Sequence, residues 1–143
     1  MTTGYIRYTG KYKYQLESEY KIRISIKPKT DITTDFIDLS TQGALLVKNA
    51  YAWDGPSGPV KDTPKNLRAS LVHDALYQLM RREKLKSRTH RKTADLEFKR
   101  ICKEDGVSKY WASIWYRGLR NFGKPAASPE NKRVVRRAPR GAS

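Results

Sequence analysis

The hydrophobic period of this chain changes once, from two residues to about 3.6, and the change falls at a turn dense in glycine and proline. Before the turn, Tyr20 to Lys27 alternates strictly. Tyr20, Ile22, Ile24 and Ile26 share one face of a strand, and Lys21, Arg23, Ser25 and Lys27 share the other. After it, Leu67, Leu71, Ala75 and Leu79 recur at helical spacing, with Val72, Leu76 and Met80 widening the stripe. The turn itself, Trp53-Asp54-Gly55-Pro56-Ser57-Gly58-Pro59, is too rich in fixed dihedrals to be a linker. Such a chain is predicted to be α+β, with an N-terminal antiparallel sheet or hairpins followed by three helices, two of them antiparallel.

At 143 residues the chain has the size of one domain with one core of moderate size. The β-rich part is expected over 1–50, the Gly/Pro loop over 53–59, and the domain as a whole over 1–123. Phe36-Ile37-Asp38-Leu39 and Ala44-Leu45-Leu46-Val47 flank Ser40-Thr41-Gln42-Gly43, a hairpin signal in which glycine supplies positive φ. Lys11 to Leu16 is a weaker, tyrosine-rich strand. Its tyrosines, with Tyr5, Tyr8 and Tyr20, could form a base-stacking surface, although half-buried sheet positions explain them more simply.

The helices are expected near 64–84, 89–105 and 108–122. Thr63 is read as the first N-cap with Pro64 at the first helical position. Gly106 is read as the residue that closes the second helix. Ser108 caps the third, whose Trp111, Ile114, Trp115, Gly118, Leu119 and Phe122 are expected to face inward. Residues 124–143, with three prolines and little apolar content, read as a basic tail.

Charge limits the partners. Thirty Lys and Arg against fourteen Asp and Glu give a formal +16. Seven basic residues lie between Arg81 and Lys92 against Glu83 alone, and six follow from Lys124 against Glu130 alone. Such clusters attract nucleic acid or an anionic membrane surface, and Arg133, Arg136, Arg137 and Arg140 are the tail residues expected to make that contact. The bland alternative is that basic loops merely keep the protein soluble. No apolar run approaches the roughly 20 residues needed to span a bilayer, and Met1 to Tyr5 lacks a secretory pattern. Cys102 is the lone cysteine, which excludes an internal disulfide and a cysteine zinc cage; it reads as a core residue rather than a nucleophile.

One constellation carries chemistry. His73 and Tyr77 lie one turn apart on a helix, and Asp95 lies early on the next. Helices that pack at about 8–10 Å can bring an imidazole and a carboxylate into hydrogen-bond reach. The carboxylate would orient the ring for work as a general base, with Tyr77 completing the network. Asp74 points about 100° away, toward the Gly/Pro loop. There Asp54, Gly55 and Gly58 could join it around a calcium ion through carboxylate and carbonyl oxygens. The competing reading is a buried structural His–Asp pair completed by a tyrosine hydroxyl. His90, in the basic link, reads as solvated.

The segments Trp53 to Pro59, Ser70-Leu71-Val72-His73-Asp74-Ala75-Leu76-Tyr77 and Ala94-Asp95 resemble a small domain of unknown function encoded by tailed phages and prophages, over most of residues 10–127. The same middle section looks like the core of secreted calcium-dependent phospholipases and of the phospholipase domain in parvovirus capsid proteins. That resemblance implies His73 as general base, Asp74 as calcium ligand, Tyr77 as supporting hydroxyl and Asp95 as orienting acid. The loop has fewer glycines than a standard calcium loop, and the β-rich half has no counterpart in the lipases.

Two functional classes follow. The first is a bacteriophage virion or assembly-associated small basic protein, structural in role, contacting a polyanion or other virion proteins. It would be made in the host cytoplasm and then carried in the virion. The alternative is a calcium-dependent ester or phospholipid hydrolase that uses the His–Asp dyad during membrane penetration or lysis.

Overall fold

The computed structural model describes residues 6, 8–9, 14–55, 60 and 63–129. Strands β1 (Tyr8–Thr9), β2 (Tyr14–Leu16) and β7 (Ala52–Trp53) form one antiparallel sheet in the order β1-β2-β7. Strands β3 (Tyr20–Arg23), β4 (Ile32–Thr33), β5 (Ile37–Leu39) and β6 (Ala44–Val47) form a second, in the order β3-β6-β5-β4. The fold is α+β: these sheets precede the main helices α1 (Leu67–Arg81), α2 (Ser87–Glu104) and α3 (Lys109–Phe122) and a short α4 (Lys124–Ala127).

The strict alternation survives folding. Tyr20, Ile22, Ile24 and Ile26 are all buried, although ladder pairing with β6 stops at Arg23. The β5–β6 hairpin forms as its turn residues require. Gly43 has φ +81°, and a Cβ there would lie 2.3 Å from the Ile24 carbonyl oxygen, so both the backbone and the space demand glycine. Strand β4 carried no clear sequence signal; two residues are too few for a period to register.

The helix boundaries shift. α1 begins at Leu67, not at 64, because Thr63 does not cap it. Instead the Thr63 N–H donates to the Asn66 side chain at 3.0 Å, closing a turn around Pro64 before the helix starts. α2 starts at Ser87, so much of the basic stretch expected to be a link is helical. Gly106, at φ +98°, follows the C-terminus of α2, and the Val107 N–H reaches back to the Cys102 carbonyl. Ser108 caps α3 by accepting from the Trp111 N–H at 3.2 Å.

The expected inner face of α3 is largely turned outward. Ala112, Gly118 and Leu119 are buried, whereas Trp111, Ile114 and Phe122 are exposed and Trp115 is half-buried. Small residues let α3 approach α2 closely, and the interior is already filled by α1, α2 and the sheets. The chain also folds past the expected boundary at 123. Ala127 is buried, and the Arg81 guanidinium donates to the Ala126 carbonyl at 2.7 Å. Residues 130–143 lie outside the described residues.

Two buried polar clamps join sheet to helices. Glu97 on α2 accepts from the N–H and hydroxyl of Ser25, each at 2.8 Å. Arg68 on α1 donates to the Tyr20 hydroxyl at 2.8 Å and pairs with Glu104 and Asp105. Together they fix α1 and α2 against the second sheet, which sets the register in which His73 meets Asp95.

Candidate functional site

His73 lies near the middle of α1, and α2 runs antiparallel against it, so Asp95 in the first half of α2 falls opposite. His73 Nε2 lies 2.7 Å from Asp95 Oδ1, and the Tyr77 hydroxyl donates to the same oxygen at 2.6 Å. The i, i+4 spacing stacks the His73 and Tyr77 rings with centroids 4.0 Å apart, and Phe98 meets the imidazole edge-on at 5.5 Å. Asp95 is fully buried, and His73 is 5% exposed. The three residues expected as a catalytic group are therefore in contact.

The other carboxylate oxygen faces cations that the sequence reading missed. Arg120 of α3 donates to Asp95 Oδ2 at 2.9 Å, and Arg91 lies 3.7 Å from it. Arg91 also donates to the Leu119 and Arg120 carbonyls at 3.1 and 3.2 Å, tying the end of α3 to the site. Arg91 was recoverable from its i, i+4 relation to Asp95; Arg120, 25 residues away, had no local signal.

These neighbours set the protonation states. Burial disfavours the Asp95 anion, but the hydrogen bond and charge of His73, with the bonds from Tyr77 and Arg120, outweigh it and hold the carboxyl below its ordinary value. Burial first, and then the Asp95 charge, push the Tyr77 phenol well above the usual tyrosine range, so it stays a neutral donor. An ionised carboxylate can only accept, which makes Nε2–H the donor and leaves the lone pair of a neutral ring on Nδ1.

Asp74 is turned away from this cluster. Its Oδ2 accepts from the Tyr51 hydroxyl at 2.5 Å, and Tyr51 also reaches Gln78 at 3.4 Å. Asp54 is exposed, and Gly55 is buried with φ +84°. Gly58 lies outside the described residues, as do Arg133, Arg136, Arg137 and Arg140. Calcium takes six to eight oxygens. Among the described residues no three His, Cys, Asp or Glu side chains gather as a metal group, and Asp74 already shares an oxygen with a phenol.

The basic stretch divides. Arg82, Lys84, Lys86, Arg88 and Lys92 are exposed, whereas Arg81 is buried and Arg91 is turned into the site. His90 is half-buried rather than solvated, and burial lowers its pKa. No helix among the described residues is long and apolar enough to cross a membrane.

A family model described as "Protein of unknown function (DUF1353)" matches residues 43–119. That span takes in His73, Asp74, Tyr77, Arg91 and Asp95. No curated protein and no solved structure matches the chain.

Proposed function

The chain belongs to the DUF1353 family of proteins of unknown function, and from its site we propose that it is a hydrolase of carboxylic esters, phospholipid acyl esters included. The observation that carries this reading is the convergence of His73 Nε2 and the Tyr77 hydroxyl on one oxygen of the buried Asp95. That arrangement fixes the tautomer, keeps the ring plane rigid and stabilises the imidazolium that a general base must become.

His73 Nδ1 takes a proton from water as the water oxygen bonds to the ester carbonyl carbon. The imidazolium then returns that proton to the departing alcohol oxygen as the acyl C–O bond breaks. Asp95 remains ionised throughout, and Arg120 and Arg91 oppose its protonation. Calcium enters this proposal as a variable of the assay, through Asp74.

The test is release of fatty acid from phospholipid, and of alcohol from a short-chain ester, with calcium present and then chelated. His73→Ala should abolish turnover with the fold intact, and Asp74→Asn should remove any calcium response. Turnover that survives His73→Ala would refute the assignment of the base.

A second reading is supported by the exposed cations Arg82, Lys84 and Lys86 in the α1–α2 turn and Arg88 and Lys92 in the first turns of α2. In it the protein is a phage virion or assembly component, the His–Asp–Tyr–Arg cluster only joins three helices, and the basic face meets nucleic acid or another virion protein. No turnover on any ester, together with salt-dependent binding to DNA, would favour it.

A further inference from the structure

α3 is amphipathic, and its large side chains lie on the outside. Tyr110 is 67% exposed, Trp111 52%, Ile114 36% and Phe122 68%. At 100° per residue these four fall within one third of the helix circumference. Trp115, at the edge of that arc, stacks against Trp111 with ring centroids 6.2 Å apart. Beside them opens a cavity of about 780 Å³ whose lining includes Pro64, Lys65, Val107, Ser108, Trp111 and Trp115. The apolar helix face is thus continuous with an apolar recess whose lining includes neither His73 nor its partners.

The charge of this region has one sign. From Gly106 to Pro129 the sequence holds Lys109, Arg117, Arg120 and Lys124 and no acidic residue. Lys109 and Arg117 are exposed within α3, Lys65 reaches the cavity, and Lys99 lies 5.4 Å from the Tyr116 ring centre. The acids on either side are Asp105 and Glu130; Glu104 and Asp105 are engaged with Arg68, and Glu104 also with Arg100, while Glu130 lies outside the described residues. Arg120 is taken up by Asp95, which leaves Lys109, Arg117 and Lys65 beside the rings. Exposed Trp and Tyr rings framed by such cations are the composition of a helix lying in a bilayer interface, where the rings enter the headgroup layer and the cations meet anionic lipid.

We propose that the exposed face of α3, with the adjoining Lys65-rimmed cavity, docks on an anionic lipid bilayer. A second copy of this chain fits less well, because it would bring Lys109 and Arg117 against their own kind. Single-stranded nucleic acid would use the rings and cations but has no use for Ile114 and an apolar recess. The residues differ from those proposed for hydrolysis, so the two readings can fail separately; docking would give the hydrolase reading a lipid substrate at a surface.

The test uses the full chain with vesicles of phosphatidylcholine alone and of phosphatidylcholine mixed with phosphatidylglycerol. Cosedimentation and a blue shift of tryptophan emission are expected with the anionic vesicles, weakening as salt rises. Trp111→Ala combined with Ile114→Ser truncates side chains on the helix surface, so circular dichroism should show the fold retained while vesicle affinity falls by about tenfold or more. His73→Ala should bind vesicles like the parent, and the α3 variant should act on a soluble short-chain ester like the parent. Equal binding by parent and α3 variant, or no preference for anionic vesicles, would overturn the proposal. So would self-association abolished by the α3 substitutions, or an oligonucleotide that shifts tryptophan emission when vesicles do not.

Discussion

Replacing Asp95 by Asn tests the reasoning about the site at its most constrained atom. The carboxylate is fully buried and accepts from His73, Tyr77 and Arg120 at 2.7, 2.6 and 2.9 Å. An amide keeps one acceptor oxygen. Two donors converge on Oδ1, so the Asn carbonyl should take that place and turn its NH2 toward Arg120 and Arg91. Breaking a buried ion pair from one side costs about 3–5 kcal/mol. The Arg120 side chain is 31% exposed and can recover water, which places the expected loss near the lower end, about 3 kcal/mol.

For a chain of this size such a loss lowers Tm by roughly 6–12 °C. Urea unfolding monitored by circular dichroism should give the free-energy loss directly, with an unchanged m-value. The pH dependence follows in sign. Asp95 has a lower pKa folded than unfolded, so its stabilisation is full above the unfolded carboxyl value of about 3.9 and disappears as pH falls from there through the folded one. The Asp95 contribution to the gap between parent and Asp95→Asn should therefore be lost in acid. Tyr77→Phe should cost less in the Asn background than in the parent, because its acceptor has lost its charge. A loss below about 1 kcal/mol, or a gap independent of pH down to acid unfolding, would refute the account of Asp95 as an ionised hub.

Other outcomes are fixed by single positions. Gly123→Ala would place a Cβ 2.5 Å from the Leu119 carbonyl oxygen and 2.8 Å from the Tyr77 hydroxyl, so we expect a loss of about 1–3 kcal/mol by urea unfolding and a change in the Tyr77 environment by NMR. Gly43→Ala combines a φ of +81° with a clash at the Ile24 carbonyl, and should destabilise the β5–β6 hairpin by more than about 1 kcal/mol in the same assay. Cys102 is fully buried, and burial, then the Asp105 charge, push its thiol up to about 12; a maleimide should label it only as the protein unfolds.

Local pattern alone determined much of this protein. The period-two run Tyr20 to Ile26, the hairpin glycine at position 43, the Ser108 cap and the Gly106 terminator all act over a few residues, so their signal is complete in the sequence. The meeting of His73, Tyr77 and Asp95 was also legible, since i, i+4 spacing and one antiparallel helix pair suffice to place them. Only the tertiary structure decided the rest. It brought Arg120 from α3 to Asp95 and Tyr51 from the sheet side to Asp74, pairings 25 and 23 residues apart that no local period encodes. It also turned the aromatic stripe of α3 outward. A hydrophobic period states that a helix has two faces but not which one the core has room for, and here Ala112 and Leu119 are buried while Trp111, Ile114 and Phe122 are left outside.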